Sequence, residues 1–259
     1  IGNGSDNSML PVSPEYEYSY SQCIYYPEEI NCQNRMIESV WYHYNGEGVL
    51  TNSSEWEIYM GHTEQSYFVT PASWIPASQL TYVGTVNLSN TEPGDEWIEL
   101  QLQTMFMYNG NSNLVIAIKD NTPLSDGQGG CFYSTHSENR SIEVHSNSQT
   151  FDVYSPPSGT IHTDYINVRL QFMENTAVPQ NLNVSYSDNC ALITWSNVIT
   201  NESGSLINVS EYLIYGSNQL DFTTTSDNLI GISNTNSFVH LTNSRSMFYK
   251  VTTISDRNH

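Results

Sequence analysis

The chain has 259 residues, enough for one large or two ordinary domains, and its 38% hydrophobic and 12% aromatic content can build buried cores. Its 27 acidic and 7 basic residues leave a net charge of −20, which excludes the phosphate neutralisation that nucleic-acid binding needs and disfavours anionic membrane surfaces. No apolar run approaches the ~18 residues that would span a bilayer, so no membrane insertion is expected.

Charged residues make up only 13% of the chain, so Ser, Thr, Asn, Gln and Tyr must supply the polar surface. That usage is common in exported β-rich proteins. The first residue is Ile1, with no charged-then-apolar leader behind it, so the chain reads as an extracellular or cell-surface product from which a signal peptide has been removed.

Residues 1–14 are polar but contain Met9, Leu10 and Val12, a candidate strand for pairing with another copy of the chain. Glu15-Tyr-Glu-Tyr-Ser-Tyr20 alternates strictly, which puts Tyr16, Tyr18 and Tyr20 on one strand face. Exposed there, the three rings are candidates for stacking on sugars. Half-buried packing with the hydroxyls in water is the structural alternative. Cys23 and Cys32 lie symmetrically about the turn candidate Pro27-Glu28, where a hairpin would bring them together as a disulfide. Two unpaired buried thiols are the other reading. Cys131 and Cys190 fall in different domains and are read as free.

Further strands are expected over residues 36–44, 55–60, 81–88, 97–102, 114–118, 141–144 and 167–172, with turn chemistry at Asn45-Gly46, Pro93-Gly94-Asp95, Asn109-Gly110 and Ser125-Asp126-Gly127. Helical periodicity is nearly absent. Many short strands at this spacing predict an all-β chain, a jelly-roll-like β-sandwich in residues 1–174 followed by a second sandwich in residues 175–259. The boundary rests on a polar connector ending at Pro179 and on a change of charge, since 21 acidic residues precede Thr176 and 6 follow it.

No H-E-x-x-H, G-x-S-x-G or glycine-rich phosphate loop occurs, and the seven histidines are scattered, so no enzyme is expected. His62 reads as a structural strand-end histidine. The loop from Asp120 to Gly130 offers Asp120, Asn121 and Asp126, whose oxygens are candidate ligands for a structural Ca²⁺. A glycine-rich loop whose Asp and Asn satisfy turns accounts for the same residues.

The second part resembles a fibronectin type III domain. The residues that carry the likeness are Pro179-Gln-Asn-Leu-Asn-Val-Ser185, Leu192-Ile-Thr-Trp195, Glu211-Tyr-Leu-Ile-Tyr215 and Phe248-Tyr-Lys-Val-Thr252. The resemblance implies a tryptophan buried between two sheets, with the last strand lacking. The first part resembles a β-sandwich module of long secreted surface proteins in Bacteroidetes-type bacteria. Here the residues are Ile1-Gly-Asn-Gly4, Tyr18-Ser-Tyr-Ser-Gln22, Ile58-Tyr-Met-Gly-His-Thr63, Trp74-Ile-Pro76, Trp97-Ile-Glu-Leu100, Asn113-Leu-Val-Ile-Ala117, Asn139-Arg-Ser-Ile142 and Val168-Arg-Leu170. Such modules are usually non-catalytic.

Two functions from different classes follow. One is a structural or adhesive surface subunit that self-assembles head-to-tail into a filament, residues 9–12 pairing with an open strand edge near Tyr249 and Val251 of the next copy. The other is a carbohydrate-binding module with a glycan as its partner.

Overall fold

The computed structural model describes the whole chain except residues 33–34, 47–48, 92–93, 95, 128–131, 174–175, 203–205, 245 and 256–259. It divides into two compact units, Ile1–Met173 and Glu174–His259. Both are antiparallel β-sandwiches, so the all-β fold expected from the strand pattern is the fold observed.

The strands of the first unit are β1 (Asp6–Ser8), β2 (Tyr18–Tyr25), β3 (Arg35–Tyr44), β4 (Trp56–Thr63), β5 (Leu80–Val86), β6 (Glu96–Tyr108), β7 (Asn113–Asp120), β8 (Phe132–Ser146), β9 (Thr160–Ile166) and β10 (Val168–Phe172). They belong to one ten-stranded sheet with two wings. In the smaller wing β3 lies between β6 and β10. In the larger, the order is β9–β8–β2–β7–β4–β5. The wings meet where Tyr44 of β3 faces Phe132 of β8. Their inward side chains form one core, in which Val40, Tyr42, Ile98, Leu100 and Val168 pack with Trp56, Ile58, Met60, Ile116 and Ile118.

The two wings differ in what covers their outer faces. On the larger wing Tyr20 and Ala117 pack with Phe151, while Ile24 and Val115 pack with Phe68 and Ile75. Buried on both faces, β2 loses the alternation of a half-exposed strand. On the smaller wing, alternation is kept. In β6, Ile98, Leu100 and Leu102 are buried while Glu99, Gln101 and Gln103 are exposed.

Two expectations are corrected here. Residues 9–12 are no free donor strand: Leu10 and Val12 are fully buried in the core, and the Ser13 hydroxyl donates to the Met9 sulfur at 3.5 Å. Cys23 and Cys32 form no disulfide; both are free thiols. The turn between them is a short helix, α1 (Pro27–Ile30), ended by Asn31 in a left-handed conformation. It carries the chain from β2 in one wing to β3 in the other, so the two strands never pair as a hairpin. The buried Cys23 sulfur lies 3.1 Å from the Ser141 hydroxyl instead. Cys190 is also a free thiol, and Cys131 lies outside the described residues.

The second unit contains β11 (Asn183–Ser187), β12 (Cys190–Thr194), β13 (Val209–Ser217), β14 (Leu229–Ser233), β15 (Ser237–Leu241) and β16 (Phe248–Ser255). They make two three-stranded sheets, β11–β12–β15 and β14–β13–β16. Trp195 is buried in the core with Ile193, Ile214 and Val251, its ring 5.1 Å from Tyr212. β16 is an edge strand among the described residues, but the side chains expected to serve self-association there face inward. Val251 is buried in the core, and Tyr249 packs against it with its hydroxyl 3.0 Å from His240 Nδ1.

Candidate functional site: the open face of the smaller wing

The residues singled out for sugar stacking do not form a platform. Tyr20 is fully buried and stacks on Trp74 at 5.0 Å, Tyr18 packs beside it, and Tyr16 precedes the strand and stacks on His145 at 3.6 Å. The alternation ended at Tyr20 because β2 begins at Tyr18 and is covered on both faces.

The Ca²⁺ candidates each have a hydrogen-bond partner in the protein. Asp120 accepts the Thr122 N–H at 2.8 Å, the Asn121 side-chain Oδ1 accepts the Thr150 hydroxyl at 2.8 Å, and Asp126 accepts the Asn52 N–H at 3.0 Å. Among the described residues no group of three or more His, Cys, Asp or Glu is placed to hold a metal. Residues 128–130 of that loop lie outside the described residues. His62 accepts the Asn109 N–H on Nε2 at 3.1 Å, and burial holds its pKa below the ordinary value, which suits a neutral structural imidazole.

Acids and histidines meet on β8 and β9. Glu143 is nearly buried, with His145 Nδ1 at 3.2 Å and His162 Nε2 at 3.5 Å. Burial pushes its carboxyl up, and the two imidazoles together outweigh burial, so it titrates below the usual range. Both oxygens face protein groups, so the cluster reads as a knot between strands.

Sequence reasoning missed the outer face of the smaller wing. Alternation turns Val40, Tyr42 and Tyr44 of β3 inward and leaves Trp41 and His43 outward. The register then builds rows across three strands. His43 pairs with Trp97, Trp41 lies between Arg169 of β10 and Glu99 of β6, and Ser39 lies between Gln171 and Gln101. Trp41 and Trp97 are diagonal neighbours, which sets them about 7–8 Å apart. Trp41 donates its indole N–H to the Ser39 hydroxyl at 3.0 Å, which fixes the ring's edge. Its ring has no aromatic or cationic partner among the described residues. The signal for this face was present in the sequence, because three predicted strands share a pattern with aromatic or long polar residues on the non-core side.

One end of the face is walled. The Trp97 and His43 rings stack 4.6 Å apart and 7° from parallel, Tyr133 of β8 meets His43 edge-on at 4.7 Å, and the Arg169 guanidinium lies 3.9 Å from the Trp97 ring centre. Together with Asn167 and residues 1–5 they enclose an open cavity of about 520 Å³. The wall is held by Thr135, whose hydroxyl oxygen accepts the N–H groups of Asn3 and Gly4 and donates to the Asn167 side chain at 2.7 Å. Asn167 donates in turn to the Gly4 carbonyl at 2.7 Å. Glycine is required for this approach: a Cβ at Gly4 would overlap the Ser134 carbonyl oxygen. Gly4→Ala is therefore expected to lift the strip, lowering the melting temperature by roughly 2–4 °C for each kcal/mol lost, whereas Asn3→Ala leaves it unchanged. Thermal unfolding of the two variants checks this.

No family model matches the chain, and no curated protein matches it. Among solved structures it is similar to the cysteine protease and lectin-like domains of Cwp84, a surface-layer-associated protein of Clostridium difficile. The identity is 9%, over 60% of this chain and 32% of that chain, with a TM-score of 0.34. A clostridial Cwp84 after propeptide cleavage is similar at 8% identity, over 60% of this chain and 35% of that one, with a TM-score of 0.35. The chain thus spans about a third of the length of these solved chains.

Proposed function

We propose that this chain is a non-catalytic glycan-binding β-sandwich of an extracellular or cell-surface protein, and that the sugar lies across β10–β3–β6. The observation that carries the reading is the outward Trp41 ring, held at its edge by Ser39 and flanked in register by Arg169, Glu99, Gln101 and Gln171. A sugar ring has an apolar C–H face and an equator of hydroxyls. An indole accepts the first, and a surround of guanidinium, carboxylate and amide groups hydrogen-bonds the second.

A glycan array followed by calorimetric titration of its hits tests this. Trp41→Ala is expected to weaken binding by about tenfold or more, as loss of a central aromatic anchor does. Tyr16→Ala, on the other wing, leaves affinity unchanged. An array without hits, or undiminished affinity in Trp41→Ala, overturns the proposal.

A further inference from the structure

We infer that the walled end of this face is an anionic subsite, and that the saccharide it takes carries a carboxylate bound by Arg169, as a uronic acid does; this rests on the glycan-binding reading above. The first observation is what the cationic side chains do. Arg35 donates to the Met173 carbonyl, Lys119 pairs with Glu57, Arg140 pairs with Glu29, and Lys250 donates to the Phe222 carbonyl. Arg169 is the cation, among the described residues, whose contact is with a ring alone. A guanidinium lying over an indole keeps its in-plane N–H groups for an acceptor, and their fork matches the two oxygens of a carboxylate.

The second observation is the lining. The chain carries 27 acidic residues against 7 basic ones, yet no Asp or Glu lines this cavity. Arg169, His43, Tyr133, Asn167 and residues 1–5 do. Tyr133, in the same lining, carries a phenol hydroxyl that can donate a hydrogen bond. Glu99 is on the far side of Trp41, two strand spacings from Arg169, or roughly 9–10 Å. The face is therefore polar from end to end: an anion fits at Arg169, and hydroxyls fit at Glu99 and Gln101.

Titration of the full chain with an oligogalacturonide, its methyl ester and a sulfated galactan separates the possibilities. The free acid is expected to bind about tenfold more tightly than the ester, the value of one charge-assisted pair. Arg169→Gln should bring the acid down to the affinity of the ester without lowering the melting temperature, and Trp41→Ala should weaken both. Equal binding of acid and ester, with no effect of Arg169→Gln, overturns the anionic subsite and leaves the glycan reading standing. Preference for the sulfated galactan overturns the carboxylate assignment. Failure of all three probes, together with an empty array, removes both readings.

Discussion

Replacing Arg140 with methionine is expected to lower the melting temperature of the first unit by roughly 10 °C. Arg140 is 2% exposed, yet its charge is fully engaged. Nη1 and Nη2 donate to the two Glu29 oxygens at 2.8 and 2.6 Å, and Nε and Nη2 donate to the Ile24 carbonyl at 3.0 and 2.8 Å. The guanidinium lies 4.0 Å from the Tyr26 ring centre and 3.9 Å from that of Tyr165. Methionine fills the volume but leaves Glu29 facing no cation and removes the guanidinium hydrogen bonds to the Ile24 carbonyl. Removing one partner of such a pair costs about 3–5 kcal/mol, and each kcal/mol moves the midpoint of a domain this size by roughly 2–4 °C.

The pH dependence of that loss has a sign. Burial pushes the Glu29 carboxyl up, and the Arg140 and Tyr26 hydrogen bonds outweigh it, so it titrates below its ordinary value. A depressed carboxylate adds stability above its unfolded pKa and loses it as pH falls through the folded one. The gap between wild type and Arg140→Met should therefore narrow in acid, and Arg140→Met combined with Glu29→Gln should recover part of the loss at neutral pH. Thermal unfolding by circular dichroism measures both. A shift under about 2 °C at pH 7 would contradict the argument, since it falls below what one buried pair is worth.

Asp120 is expected to make the first unit lose stability between about pH 4 and pH 7. Burial pushes its carboxyl up to about 7, against hydrogen bonds from Thr122 that pull it down, with Asp126 pushing it further up. In the unfolded chain the same group titrates near 3.9, at roughly the model-peptide value. Through the window between, the folded state keeps a proton that the unfolded state gives up, so stability falls with rising pH and levels off above 7. Three pH units correspond to an upper bound of about 4 kcal/mol. Asp120→Asn keeps a carbonyl acceptor for the Thr122 N–H and removes the titration. It should flatten the profile and exceed wild type in stability above pH 7. Urea unfolding at pH 4.5 and pH 8 decides this, and parallel profiles for the two proteins would refute it.

Period-two alternation was enough to write β3, β6 and β10 into the sequence, core side and outer side alike, because a strand with one covered face must separate its apolar from its polar residues. The same rule misplaced Tyr16, Tyr18 and Tyr20. Loops bearing Phe68, Trp74 and Phe151 cover that wing's outer face, and no local pattern in β2 announces a cover contributed from 40 to 130 residues away. Cys23 and Cys32 looked paired for a related reason. Nine residues and a turn suggest a hairpin, yet α1 passes the chain between wings, and strand order is set by long-range packing. The candidate site shows the division most plainly. That Trp41, Trp97 and Arg169 point away from the core is a local fact, readable from each strand by itself. That they stand together on one face follows from β6 and β10 flanking β3, a pairing fixed only when the two wings closed over their common core.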